Sequence, residues 1–316
     1  MASLTAGVDL GGTKIQTVVV RSRRVVGQSR VSTPRTGATD VVHAIVETLT
    51  ASLHEAGAAA TDLSGIGIGC PGEIDTRTGT VAKAANVPGM IDPFPLGPSV
   101  SKLVSDIATT VDNDVRVAIV GEYRRGAGRP YKNLLGVFCG TGVGGGLILE
   151  GRLRRGRGAA GEIGHTVVKD GGRLCTCGRY GHLEAYAGRR SIENTARELV
   201  KKGHKTKLFD IMADQGRDRL TSGVIARALD HGDKMAEELI EEAVWALGIA
   251  LASAQNLLDL EAIIIGGGLG DRLGQPFIDR VKAAMQPRLF DDPPDLLGTE
   301  LGDLSGAVGA AVTVGG

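Results

Sequence analysis

Two glycine turns and one cysteine–histidine group are the parts of this 316-residue chain whose types and spacing could do chemistry. In Gly11-Gly12-Thr13 and in Gly140-Thr141-Gly142, small residues let backbone N–H groups converge on an anion, and the threonine adds a hydroxyl. Each is a candidate phosphate cradle, and each taken singly is equally an ordinary hairpin turn. Cys175-x-Cys177 with His165 and His182 offers two thiolates and two imidazoles, a tetrahedral zinc set; two buried free cysteines explain the same spacing. Asp112 and Asp114 precede a helical stretch, where a carboxylate commonly serves as cap. Arg152, Arg154, Arg155 and Arg157 form a basic run that suits a solvated loop or an anion site for product phosphate or polyphosphate.

Two other phosphate chemistries lack their context. Gly140, Gly142 and Gly145 satisfy G-x-G-x-x-G, as do Gly67, Gly69 and Gly72, but a dinucleotide site needs that pattern to open a helix. One instance runs into a second strand and the other into Pro71, and the chain has no G-x-x-x-x-G-K-[ST] loop.

The elements that hold these residues are legible in outline. Ala6–Leu10 and Ile15–Val20 read as strands joined through Gly11–Lys14, a hairpin at the start of the chain. Apolar residues at helical spacing predict a helix over Asp40–Ala56 with Asp40 as N-cap. A strand at Gly65–Gly69, a helix near Ser99–Ile107, a strand at Thr109–Val111 and a helix over Val115–Arg125 follow. Leu134–Cys139, a turn through Gly146 and Leu147–Leu149 repeat the first hairpin, so two similar halves would supply two phosphate grips. A long helix over Lys234–Leu257, a strand at Ala262–Ile265 closed by Gly266-Gly267-Gly268, and an Ala/Gly-rich helix from Ser305 complete an α/β order.

Length suggests two domains with a sizeable core. Lys+Arg and Asp+Glu are both 36, so no net field attracts nucleic acid or an anionic membrane, and a small ligand is the better partner. No export signal or apolar run of spanning length is evident, and the cysteines do not suggest a secreted framework, so the expected location is cytoplasmic.

Asp9-Leu-Gly-Gly-Thr-Lys14, Gly140-Thr-Gly-Val-Gly-Gly-Gly146, Gly161-Glu-Ile-Gly-His165 and Cys175-Thr-Cys-Gly-Arg-Tyr-Gly-His-Leu-Glu184, in this order, resemble the ROK family of bacterial sugar kinases and repressors. Ile263-Ile-Ile-Gly-Gly-Gly268 extends the likeness toward the C-terminus. The resemblance implies a two-lobed actin-like ATPase (ribonuclease H-like) fold with its active site in the interlobe cleft. It places the first lobe at residues 1–113 plus the final helix 305–316, and the second, with a zinc-binding loop, at 114–304.

The implied reaction is ATP-dependent phosphorylation of a hexose. Glucose is favoured because the Glu-Ile-Gly-His, Leu-Glu-Ala-Tyr and Asn-x-Pro segments are similar to those of the family's glucokinases. Fructose, mannose or an N-acetylated amino sugar such as N-acetylglucosamine are the alternative acceptors. A sugar-responsive regulator is the alternative from another class, although the Asp9 motif begins too early to leave room for a DNA-binding domain. By the same resemblance Asp114 is the general base that takes the sugar hydroxyl's proton. Gly72, Asn86, Asn113, Glu162, His165 and Glu184 join it around the sugar. Asp9, Gly11, Gly12, Thr13, Lys14, Thr141, Gly142, Gly266, Gly267 and Gly268 hold ATP, with Asp9 facing Mg²⁺ through water. His165, Cys175, Cys177 and His182 hold a structural Zn²⁺, His182 standing where the family has a cysteine. The family forms homodimers or homotetramers. After Asn113-Asp114 the family continues with Ala and Asn, whereas this chain has Val115 and Arg116.

Overall fold

The computed structural model describes residues 4–314 except Ala85 and Asn86, so Asn86, expected at the sugar, lies outside the described residues. β-Branched runs make the opening meander of β1 (Leu4–Leu10), β2 (Lys14–Arg21) and β3 (Arg24–Ser32), with Leu10 opposite Ile15 across the first glycine turn. Helix α1 (Ala38–Glu55) starts earlier than expected, because Gly37 adopts φ 142° and breaks the chain ahead of it. Asp40, expected as the cap, lies instead in the first turn, where its charge still opposes the helix's positive end.

Strand β4 (Leu63–Cys70) is followed by a small hairpin, β5 (Glu73–Asp75) and β6 (Thr80–Lys83), then α2 (Leu96–Leu103), β7 (Thr109–Asn113) and α3 (Asp114–Arg125). Helix α2 accepts Pro98 in its first turn, where the missing N–H costs nothing. It stops before Ile107 because Ser105 and Asp106 take positive φ, 52° and 56°. The resulting sheet runs β3-β2-β1-β4-β7.

The second meander is β8 (Leu134–Cys139), β9 (Val143–Leu149) and β10 (Arg152–Arg154). Strand β9 begins at Val143, so glycines expected in the turn lie within it. A Cβ on Gly145 would stand 2.3 Å from the Gly161 carbonyl oxygen, which is why the strand tolerates only glycine there. Helices α4 (Glu184–Ala187), α5 (Arg189–Lys201), α6 (Leu208–Asp214), α7 (Ser222–Asp230) and α8 (Lys234–Leu258) lead to β11 (Ala262–Gly266), α9 (Gly267–Met285) and β12 (Asp295–Gly298). This sheet runs β10-β9-β8-β11-β12, the same ribonuclease H-like order as the first. Helix α10 (Ser305–Thr313) closes the chain.

The chain divides into two compact units: residues up to Pro130 with Arg155–Gly158 and the chain from Glu300, and residues Tyr131–Arg154 with Ala159–Thr299. The first unit thus extends beyond residue 113, where the sequence suggested its limit, to take in α3. Helix α10 packs on α3 and on β1 and β4 at glycine contacts. A Cβ on Gly7, Gly67 or Gly309 would stand 1.9, 1.9 or 1.7 Å from a backbone oxygen. Glu122, fully buried on α3, accepts hydrogen bonds from the N–H groups of Glu300 and Leu301 and from the Ser305 hydroxyl, so the buried carboxylate is satisfied by the segment that leads into α10. Each unit has its own apolar core, built on Val8, Ile45 and Ile66 in the first and on Val137, Leu247 and Ile265 in the second.

Candidate functional site

In the first unit the chemistry-bearing residues stand at the C-terminal ends of β1, β4 and β7, the edge at which open α/β sheets take ligands. Parallel register sets Asp9 beside Gly69 and Cys70 beside Asn113. The first glycine turn leaves β1 there. Gly11 N–H bonds the Lys14 carbonyl at 2.9 Å, and Thr33 holds the turn by donating its hydroxyl to the Gly11 carbonyl at 2.6 Å. The N–H groups of Gly12 and Thr13 donate to no protein acceptor among the described residues, so they are free for an anion. Lys14 Nζ pairs with Asp303 at 3.1 Å.

Asp114 opens α3, and its Oδ1 accepts the Val115 N–H at 3.0 Å. Asp9 lies against Gly306 in the first turn of α10 and keeps part of its surface open. Crowding by the protein and then the charge of Asp114 push its pKa up to about 7, with Lys14 opposing the shift and Asp303 adding to it. The buried Cys70 thiol is pushed upward by burial and by the charges of Asp114 and Asp9. A surplus of negative charge at one strand edge suits a divalent cation, the chemistry that the family resemblance expects near Asp9.

Asn113, expected at the sugar, is the N-cap of α3: its Oδ1 accepts from Val115 N–H at 3.0 Å and Arg116 N–H at 3.2 Å. Its Nδ2 reaches the Gly72 carbonyl at 3.4 Å, so Asn113 and Gly72 are brought together. Neither Asp112 nor Asp114 fills that cap. Asp112 is buried and accepts Arg116 Nε at 2.8 Å and Arg155 Nη2 at 2.9 Å. Arg116 also donates to the Gly158 carbonyl at 2.7 Å. The departure from the family pattern at Arg116 therefore fastens Arg155–Gly158 beneath the residue ahead of Asp114. Of the basic run, Arg154 pairs with Glu150 and Arg155 with Asp112.

In the second unit, register brings Phe138 at the end of β8 beside Gly266 at the end of β11. The second glycine turn repeats the first, with Gly140 N–H bonding the Gly142 carbonyl at 2.9 Å. Gly267 opens α9 at φ 78°, and a Cβ there would stand 2.8 Å from the Cys139 amide nitrogen, so the two strand ends meet backbone to backbone. Glu184 ties the turn to the cysteine segment. Its carboxylate accepts Val143 N–H at 3.0 Å, the Thr176 hydroxyl at 2.5 Å and the Cys175 thiol at 3.5 Å. Glu162 and His165 stand exposed on the short turn that follows Gly161.

His165, Cys175, Cys177 and His182 converge, with one ligand atom from each inside a 4.8 Å span and Cys177 Sγ 3.3 Å from His182 Nδ1. Burial, then the neighbouring His165 and Arg179, lower the pKa of His182 and favour its neutral, metal-binding form. Burial pushes the Cys175 thiol up to about 12, so that thiol waits for a cation to draw off its proton. Two thiols and two imidazoles at this spacing fit a tetrahedral zinc.

Sequence reasoning missed Arg189, Thr33 and Ser222 around the turns. An arginine opening an unremarkable helix carries no local signal, and its place beside Thr141 depends on the tertiary path of α5.

A family model described as the ROK family matches residues 5–315. The chain is similar to a glucokinase of Halalkalibacterium halodurans, 35% identical over 310 residues, with 96% of this chain and 92% of that protein covered. It is also similar to an N-acetylmannosamine kinase of Yersinia pestis, 34% identical over 281 residues, with 88% and 87% covered. Among solved structures, a ROK family glucokinase of Streptomyces griseus in complex with glucose and AMPPNP superimposes with a TM-score of 0.82 at 33% identity, covering 98% of this chain and 99% of that one.

Proposed function

The chain belongs to the ROK family, and from that premise we propose that it is an ATP-dependent hexose kinase that converts glucose to glucose 6-phosphate. The observation that carries this reading is the pairing of a helix-opening carboxylate, Asp114, with a free-amide glycine turn and Asp9 on one strand edge. A sugar hydroxyl is a poor nucleophile, and Asp114 accepts its proton as the phosphoryl group arrives. Gly11, Gly12, Thr13 and Lys14 of the first unit, and Thr141, Gly142 and Gly266–Gly268 of the second, take the nucleotide. Magnesium, when bound near Asp9, neutralises charge on the transferred phosphate. Gly72, Asn86, Asn113, Glu162, His165 and Glu184 take the sugar, Asn113 through the second Nδ2 hydrogen, the one not given to the Gly72 carbonyl. Many directed polar groups penalise the wrong epimer, since an unmatched one is left unpaired.

Zinc held by His165, Cys175, Cys177 and His182 orders the segment that fixes Glu184 through Thr176. Among the described residues no helix is long and apolar enough to cross a membrane. The free cysteines support a cytoplasmic location and the balanced charge a small-molecule substrate. In keeping with family practice, we take the assembly to be a homodimer or homotetramer.

An N-acetylated amino sugar is the second reading for the acceptor, supported by the kinase of Yersinia pestis at nearly the same identity. Coupled ADP release across a hexose panel tests the choice. Glucose should give the highest kcat/KM, with ATP a better donor than polyphosphate at equal phosphoryl concentration. Preference for N-acetylmannosamine installs the second reading, and no turnover with any sugar overturns both.

A further inference from the structure

We propose that Arg189 is a nucleotide-binding residue of the second unit, its guanidinium aimed by two hydroxyls at the phosphate chain of the donor. The inference rests on the kinase reading and adds to it a residue that no motif supplied.

Helix α5 starts on the second glycine turn: Arg189 N–H bonds the Gly140 carbonyl at 3.1 Å and Arg190 N–H bonds the Thr141 carbonyl at 3.0 Å. The Arg189 side chain therefore leaves the backbone at the candidate phosphate cradle itself. Its Nη2 donates to the Thr141 hydroxyl at 3.0 Å, and its Nη1 reaches the Ser222 hydroxyl at 3.5 Å. A Cβ on Gly268 would lie 3.5 Å from the same Nη1, so the guanidinium spans from the glycine turn to the first residues of α9.

Those partners orient the charge without neutralising it. Among the described residues no carboxylate stands within ion-pair distance of Arg189. Glu193, one turn further along α5, is saturated by Arg197, Arg219 and the Leu220 N–H. A guanidinium carries five donors, and two are used here. Arg189 is half-buried, and its pKa is depressed below the ordinary value by burial and then by Arg219, with Glu193 opposing, a cost that an anionic ligand removes. A phosphate chain beside two glycine-lined backbones, with no side chain to shield it, matches that deficit in charge and in donor geometry.

The test uses Arg189→Gln and Arg189→Lys in the full chain, with ADP, AMP and adenosine titrated calorimetrically. Loss of a charge-assisted hydrogen bond should weaken ADP binding to the glutamine variant about tenfold or more. Adenosine should bind as it does to the parent, and the lysine variant should recover part of the ADP affinity. In turnover, KM for ATP should rise while KM for the hexose stays within about twofold. Tripolyphosphate run beside ADP separates a nucleotide site from a general polyphosphate site, and weakened tripolyphosphate with unchanged ADP overturns the proposal. So does a glutamine variant that binds ADP like the parent, or one that loses ADP and adenosine alike. Binding is read without turnover, so selective loss of ADP supports the assignment even if no hexose is phosphorylated. Thermal melting of the lysine variant checks that the fold is intact.

Discussion

Asp9 has to serve two conditions, an empty strand edge and one filled with a cation. Without a cation, crowding and the charge of Asp114 hold its pKa at about 7. The folded chain therefore binds a proton that the unfolded chain releases near the ordinary carboxylate value. Stability contributed by this group is full below that ordinary value and is lost as pH climbs through about 7. Asp9→Asn removes the dependence. Measured without nucleotide or magnesium, the variant's melting temperature should gain on the parent's as pH rises from about 4 to about 8, and a constant offset between the two contradicts the assignment. The positions of Asp9 and Asp114 at strand ends were readable in the sequence from the strand–turn–strand and strand–helix junctions, whereas their roles were given only by the family resemblance. The coupling between the two carboxylates was not readable, since it arises from the sheet order that sets β4 between β1 and β7.

Short segments act here as fasteners for functional groups. Thr176, flanked by Cys175 and Cys177, donates to Glu184, which in turn receives the amide of Val143 at the end of the second glycine turn. A metal that fixes the cysteine segment thus fixes the turn as well. Protein purified without added zinc should carry close to one zinc ion per chain, and Cys175→Ser should carry little. Chelation should lower the melting temperature and weaken sugar binding; a zinc-free parent whose melting and activity ignore the chelator contradicts this. The cysteine and histidine types were visible in the sequence, but their convergence was open, because His165 and Cys175 belong to separate loops. Asn113 shows the opposite case. Its position was legible while its local duty was not, as a helix cap is claimed by whichever of three neighbouring polar residues has the right backbone, here at φ −63° and ψ 140°.

The chain is built as one architecture used twice, each unit a five-stranded sheet of the same order with a glycine turn at its first hairpin. That duplication was legible from the paired turns, since strand, Gly/Thr turn and strand recur with the same residue types. The limit of the first unit was not, because no pattern within α3 announces that α10, almost two hundred residues later, will pack on it through Gly121 and Gly309. Glycine serves both the two turns and the close packing of α10 on sheet and helix. One carboxylate decides whether this architecture serves sugar phosphorylation. Steady-state ADP release with glucose and ATP, compared between the parent and Asp114→Asn at matched thermal stability, should show kcat lowered by about 10²–10⁴-fold with glucose binding retained. A variant that turns over glucose as fast as the parent contradicts the assignment of Asp114 as the base.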